Sequence, residues 1–157
     1  MAMTLDELSD IEAIRQAKHM YSWTYDALDL EGLLALFTED AVCDFGPYGT
    51  WVGIGAIREG YTLNLAREGT PFSTIHAMAN QVVTLNGDGT AQSRCFLLDI
   101  VMGAGNENPL RLLGIYDEDF RKVDGRWLIS RSRIDFLWTA DAGKVGAGGL
   151  KEVLGQE

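Results

Sequence analysis

The hydrophobic period of this chain changes once, at Phe72, and that change constrains the fold more than any other feature. Before it, apolar residues recur at helical spacing. After it come three long runs of β character, Ser73 to Leu85, Ala91 to Met102 and Leu110 to Val123, and a fourth from Trp127 to Trp138. Asn86-Gly87-Asp88-Gly89 and Asp124-Gly125 read as hairpin turns, since such residues tolerate the positive φ that tight hairpins require. Gly103 to Pro109 reads as a looser connection. Helices followed by an antiparallel meander make an α+β fold. A curved sheet wrapping helices on one side encloses a cavity of the kind that takes small ligands.

The helical part has three segments. Thr4-Leu5-Asp6-Glu7 and Ser9-Asp10-Ile11-Glu12 both fit a capping box, and either can start a long helix with the stripe Ile11, Ile14, Tyr21, Tyr25 and Leu28. Asp29 is placed to cap a second, shorter helix over Glu31 to Phe37, followed by short strands at Ala41 to Phe45 and Thr50 to Val52 around the turn Gly46-Pro47-Tyr48-Gly49. Gly55 opens a third helix with Ile57, Tyr61 and Leu65 on one face, ended by Gly69 and Pro71. Residues 1–139 form one domain in this reading, and 140–157 a glycine-rich, mobile C-terminal tail.

Charge and composition narrow the function. A net charge of −10 repels phosphate backbones and anionic bilayers, so neither a nucleic acid nor a membrane is an expected partner. There is no run of about 18 apolar residues, and the acidic start is unlike a signal peptide. Cys43 and Cys95 form no motif and read as buried free thiols, which fits a cytoplasmic location. Two distant histidines give no metal-ligand spacing. No nucleophile elbow, Walker-type loop or dinucleotide fingerprint is present, and Gly53-Ile54-Gly55 reads as a helix start. Neither a metal nor a cofactor is expected. The apolar content of the strands exceeds what one layer of helices covers, which predicts a homodimer, with a homotrimer as the alternative.

The chemistry-bearing stretch is Ser73 to Asn80, where His76 sits between Ile75 and Ala77. A buried neutral imidazole needs a partner for its N–H. Asp26, at the edge of the first helix's apolar stripe, is the best acceptor. With one ring nitrogen bonded to Asp26, the other is left as a base. The competing reading is a core histidine bonded to a backbone carbonyl, with Asp26 capping the next helix or pairing with an arginine. His19 lies about 10 Å along the helix from Asp26, too far for a hydrogen bond, and reads as a surface residue. Glu118 and Asp119, beside Arg121 and Lys122, read as a solvated sheet face.

Several motifs, in this order, resemble the SnoaL-like branch of the nuclear transport factor 2-like superfamily: Tyr25-Asp26, Leu33 to Ala41, Gly53 to Ile57, Thr74-Ile75-His76, and Tyr116 with Phe120 to Trp127. The resemblance implies a cone-shaped sheet with a central pocket. Within that superfamily the pair looks like the base dyad of scytalone dehydratase and hexachlorocyclohexane dehydrochlorinase, which implies that His76 takes a proton from carbon while Asp26 orients it. It also sets Tyr25 and Tyr116 at substrate-binding positions. Departures from those enzymes are equally visible. Phe45 stands where the dehydratase has its second tyrosine, with Tyr48 nearby, and Asp99 is all that the next strand offers in place of a second histidine. Tyr21 replaces a lysine of the dehydrochlorinase, whose arginine falls near Arg131 and Arg133.

The expected function is therefore a cofactor-independent lyase or isomerase acting on a small, apolar, cyclic compound, with Asp26 and His76 catalytic. The alternatives are a polyketide-cyclase or epoxide-hydrolase type enzyme, or a non-catalytic small-molecule-binding protein of the same fold.

Overall fold

The computed structural model describes residues 3–141 together with 143 and 144. Helix α1 (Leu5–Asp26) starts at the first of the two capping boxes. The Thr4 hydroxyl accepts from the Glu7 N–H at 3.2 Å and Glu7 Oε2 accepts from the Thr4 N–H at 2.7 Å. Its buried face carries Ile14, Ala17, Lys18, Tyr21, Thr24, Tyr25 and Asp26, so the second half of the helix puts polar groups inside. Asp29 caps α2 (Leu30–Leu34) by accepting from the Gly32 N–H at 2.9 Å. This helix is shorter than predicted. Phe37 belongs to β1 (Phe37–Asp44), where the sheet claims it by pairing it with Ile129.

A short 3-10 turn at Gly46–Tyr48 leads to β2 (Thr50–Val52) and α3 (Gly53–Glu68), which buries Ile57, Tyr61 and Leu65. Gly60 lets α3 approach β2: a Cβ there would lie 2.2 Å from the Trp51 ring. The meander follows as β3 (Thr74–Leu85), β4 (Thr90–Val101), β5 (Leu110–Val123) and β6 (Arg126–Thr139), close to the predicted runs. A two-residue strand, β7 (Gly143–Lys144), pairs with β6, so the start of the predicted tail is tied to the sheet. The rest of that tail, 145–157, lies outside the described residues.

The strand order is β2-β1-β6-β5-β4-β3, antiparallel except where β1 runs parallel to β6. Register shifts between Ala79 and Val82 on β3, with Asn80 at φ 54°, and at two points in the β5–β6 pairing bend the sheet. The helices lie against its concave side. There the core gathers Tyr21, Leu33, Phe45, Ile57, Tyr61, Leu97, Tyr116, Phe120 and Ile129.

Glu118 corrects the reading of a solvated face. Alternation along β5 points it inward, and it forms a fully buried ion pair with Lys18 of α1 at 2.7 Å, with Ser132 also donating to it at 2.9 Å. The Lys18 ammonium sits 3.3 Å from the Tyr116 ring centroid and 4.1 Å from that of Tyr21. Trp23 is 64% exposed, and its ring meets Phe72 edge-on. Cys43 and Cys95 are buried free thiols, and burial pushes each up to about 12, which leaves them unreactive.

Candidate functional site

Strand β3 lies at the end of the sheet, so alternate backbone groups face away from β4 with no strand to bind. At His76 two side chains of α1, one turn apart, take that role. Asp26 Oδ2 accepts from the His76 backbone N–H at 2.9 Å, and the Ser22 hydroxyl donates to the His76 carbonyl. The other carboxylate oxygen, Asp26 Oδ1, lies 2.6 Å from His76 Nδ1. One carboxylate thus holds both the backbone and the ring of the same histidine. A carboxylate only accepts, so Nδ1 carries the ring proton and Nε2 holds the lone pair of the neutral imidazole. Among the described residues Nε2 makes no hydrogen bond, and the His76 side chain is 8% exposed. The Tyr25 ring packs against the imidazole, centroids 4.4 Å apart at 62°, and limits its rotation.

His76 lines a cavity of about 150 Å³ between the helices and the concave sheet, a volume of the order that takes one aromatic ring. Phe45, Leu97, Leu112 and Ile134 form apolar walls. Five phenols also border it: Tyr21, Tyr25, Tyr48, Tyr61 and Tyr116. The Tyr21 hydroxyl is 2.9 Å from that of Tyr61 and 3.3 Å from that of Tyr116, a linked cluster. Burial holds Tyr21, Tyr25, Tyr61 and Tyr116 above the ordinary tyrosine range, so they remain protonated donors at neutral pH. The Tyr25 hydroxyl donates to Glu68 Oε1 at a long 3.5 Å.

All four residues singled out from the sequence reach this region. Asp26 and His76 are in direct contact, and Tyr25 and Tyr116 border the cavity, as do Tyr48 and Asp99. Arg131 and Arg133 do not line it. Arg131 pairs with Asp117 and Asp119, and Arg133 with Asp135. His19 is exposed and lines a second cleft between α1 and β3, which Asp26 and His76 also border. Arg67 and Arg111 both line the cavity, and Arg111, which sequence reasoning missed, is the one paired with its carboxylates. It donates to Asp99 Oδ2 at 2.6 Å and to Glu68 Oε1 at 3.2 Å. The inward alternation of β4 at Asp99 was the available signal, because a carboxylate on a core face calls for a cation. Among the described residues no cluster of histidine, cysteine and carboxylate groups is fit to hold a metal, and no helix is long and apolar enough to cross a membrane.

Residues 6–133 match the family model of the SnoaL-like domain, of the nuclear transport factor 2-like superfamily. The chain belongs to the SnoaL-like family. No curated protein matches it. Among solved structures, this SnoaL-like chain is similar to a candidate scytalone dehydratase from Novosphingobium aromaticivorans, at 29% identity and a TM-score of 0.74 over 94% of this chain and 97% of that one. It shares its fold with a Mycobacterium tuberculosis protein of unknown function, at 23% identity and a TM-score of 0.77, covering 94% of this chain and 84% of the other. It also shares its fold with LinA, a hexachlorocyclohexane dehydrochlorinase, at 19% identity and a TM-score of 0.75, covering 92% and 98%. The family and these neighbours support a small-molecule-processing enzyme or binder.

Proposed function

We propose that this SnoaL-like protein is a cofactor-independent lyase or isomerase in which His76 removes a proton from carbon in a small, largely apolar, cyclic compound. The observation that carries the reading is the double hold of Asp26 on His76, which leaves Nε2 unpartnered on a residue that lines the cavity. Asp26 fixes the tautomer and stabilises the imidazolium that forms. The protonated phenols, Tyr116 and Tyr25 among them, are the groups to receive negative charge building on a substrate oxygen. Asp26 as the acid or base itself, as a cyclase or epoxide-hydrolase reading needs, is less well supported. Both of its oxygens are already engaged by His76.

The test is hydrogen exchange into a small cyclic ketone, cyclohexanone, in deuterated water, followed by mass spectrometry. A positioned base contributes roughly 10²–10⁴-fold, so the parent protein should exchange the α-protons at least about 10²-fold faster than a folded His76→Ala variant. Equal rates in the two proteins would remove His76 as the base.

We further propose that two copies pair through the outer face of the sheet. Ile75 stands opposite Ile100, Ala77 opposite Leu98, and Phe96 opposite both Ala79 and Ile115, which makes a continuous apolar patch on the side away from the helices.

A further inference from the structure

Helix α3 turns one face to the cavity, and burial falls along it. Tyr61 is buried, Asn64 on the next turn is half-buried, and Arg67 on the turn after that is exposed. All three line the cavity. The helix advances about 9 Å from Tyr61 to Arg67, so this face marks the way from the cavity's floor to its mouth. Glu68 and Arg111 line the cavity too, but Arg111 is committed: it donates to Glu68 Oε1 at 3.2 Å and to Asp99 Oδ2 at 2.6 Å. Arg67 and Asn64 are not. Among the described residues neither side chain makes a hydrogen bond or an ion pair, and neither does the hydroxyl of exposed Tyr48, which lines the same cavity.

A basic residue in the last turn of a helix needs no ligand to explain it, because it offsets the negative end of the helix dipole. Asn64 has no such account. Asparagine is a poor helix former whose amide competes with the backbone for hydrogen bonds, yet here it sits within α3 with its amide unbonded on a cavity wall. The chemistry of the three groups says what they fit. A guanidinium only donates, through a planar fork that matches a carboxylate. The Asn64 amide adds N–H donors, and the Tyr48 phenol, which burial holds above its ordinary range, adds an O–H. Their common partner is an acceptor, and the fork favours one with two coplanar oxygens. A phosphate would bring a second negative charge beside the Glu68 carboxyl group, with only one unpaired guanidinium on the wall to meet it.

We propose that Arg67 and Asn64 are specificity-determining residues, and that the cavity's ligand is a ring compound carrying a carboxylate. The acid lies at the mouth against these two side chains and the Tyr48 hydroxyl, and the ring lies against the aromatic walls. This names a class of compound for the site described above. The recognition of the acid stands whether or not His76 removes a proton.

The experiment is a ligand-observed NMR titration at neutral pH of phenylacetate, 2-phenylacetamide, phenyl phosphate and benzylamine. The proteins are the parent, Arg67→Gln, Asn64→Leu and Arg15→Gln. An exposed ion pair is weak, so the parent should bind phenylacetate about fivefold more tightly than the neutral amide of the same shape. Arg67→Gln should lose that preference and Asn64→Leu should reduce it. Arg15 is exposed on α1 and does not line the cavity, so Arg15→Gln makes the same change in net charge and should keep the preference. Equal binding of acid and amide by the parent would overturn the proposal, a comparison that needs no variant. So would failure of the acid to bind, or tighter binding of phenyl phosphate or benzylamine than of phenylacetate. An undiminished preference in Arg67→Gln or Asn64→Leu, or an equal loss in Arg67→Gln and Arg15→Gln, would overturn it as well. A parent protein that prefers the acid but exchanges no ketone protons would remove the base and leave the recognition of the acid standing. One that exchanges them and binds acid and amide alike would do the reverse.

Discussion

Replacing Asp26 by asparagine presents the sharpest residue-scale contrast, because it keeps the shape and changes only what the two oxygens do. An amide must turn an N–H toward either the His76 backbone N–H or Nδ1, and the second choice stabilises the tautomer with its proton on Nε2. The expected outcome is a fall of roughly 10²–10⁴-fold in the exchange rate and a loss of about 1–3 kcal/mol in stability by urea unfolding. An Asp26→Asn protein with the parent rate would separate the carboxylate from the chemistry. A second prediction concerns the buried phenols. Burial raises Tyr21, Tyr25, Tyr61 and Tyr116 above the value near 10 of the unfolded chain. Below that value both states hold their phenolic protons and the full stability is present. Above it the unfolded state releases protons first, so stability falls as pH rises, by about 1.4 kcal/mol per pH unit for each tyrosine. Unfolding followed from about pH 9 to about pH 11, with the phenolate absorbance of these four tyrosines appearing only as the protein unfolds, checks this; exposed Tyr48 is replaced by phenylalanine for the measurement. The contact between Asp26 and His76 was legible from two features, a carboxylate at the edge of a helical stripe and a histidine among apolar β residues. The group of Asp99, Arg111 and Glu68 was not, because its members come from three elements and no spacing links them.

At the scale of elements, α1 and β5 are joined by Lys18 and Glu118, which have no surface exposure in their side chains. Removing one partner strands the other charge in the core. Lys18→Met should therefore cost about 3–5 kcal/mol, whereas Lys18→Met with Glu118→Leu should return to near the parent stability. Urea unfolding of the two single variants and the double variant measures the coupling, and additive losses would show that the charges do not depend on one another. This pair explains why part of the sequence misleads. Glu118 lies beside Asp119, Arg121 and Lys122, and only the pleat of β5, fixed by its neighbours, decides which of those charges points inward. Strand identities were legible because hairpin turns and apolar runs are local. The end of α2 was not, since Phe37 is drawn into β1 by a parallel pairing with Ile129 from near the other end of the domain.

For the whole molecule, the outer apolar patch predicts that the parent protein sediments as a dimer at micromolar concentration. Leu98→Glu, at the centre of that patch, should sediment as a monomer while keeping its cavity; a parent monomer would refute the pairing. The order of helices and strands was legible because each carries its own period, and the chain is long enough to close one core. The same end of the sheet carries a different consequence. The Asp26 and Ser22 bonds that hold His76 also occupy the outward backbone groups of that residue in a terminal strand. Such groups, when free, are where foreign strands add and insoluble assemblies begin. In this protein the two side chains that hold His76 also close the strand edge at that point, so replacing either one would open it to an added strand.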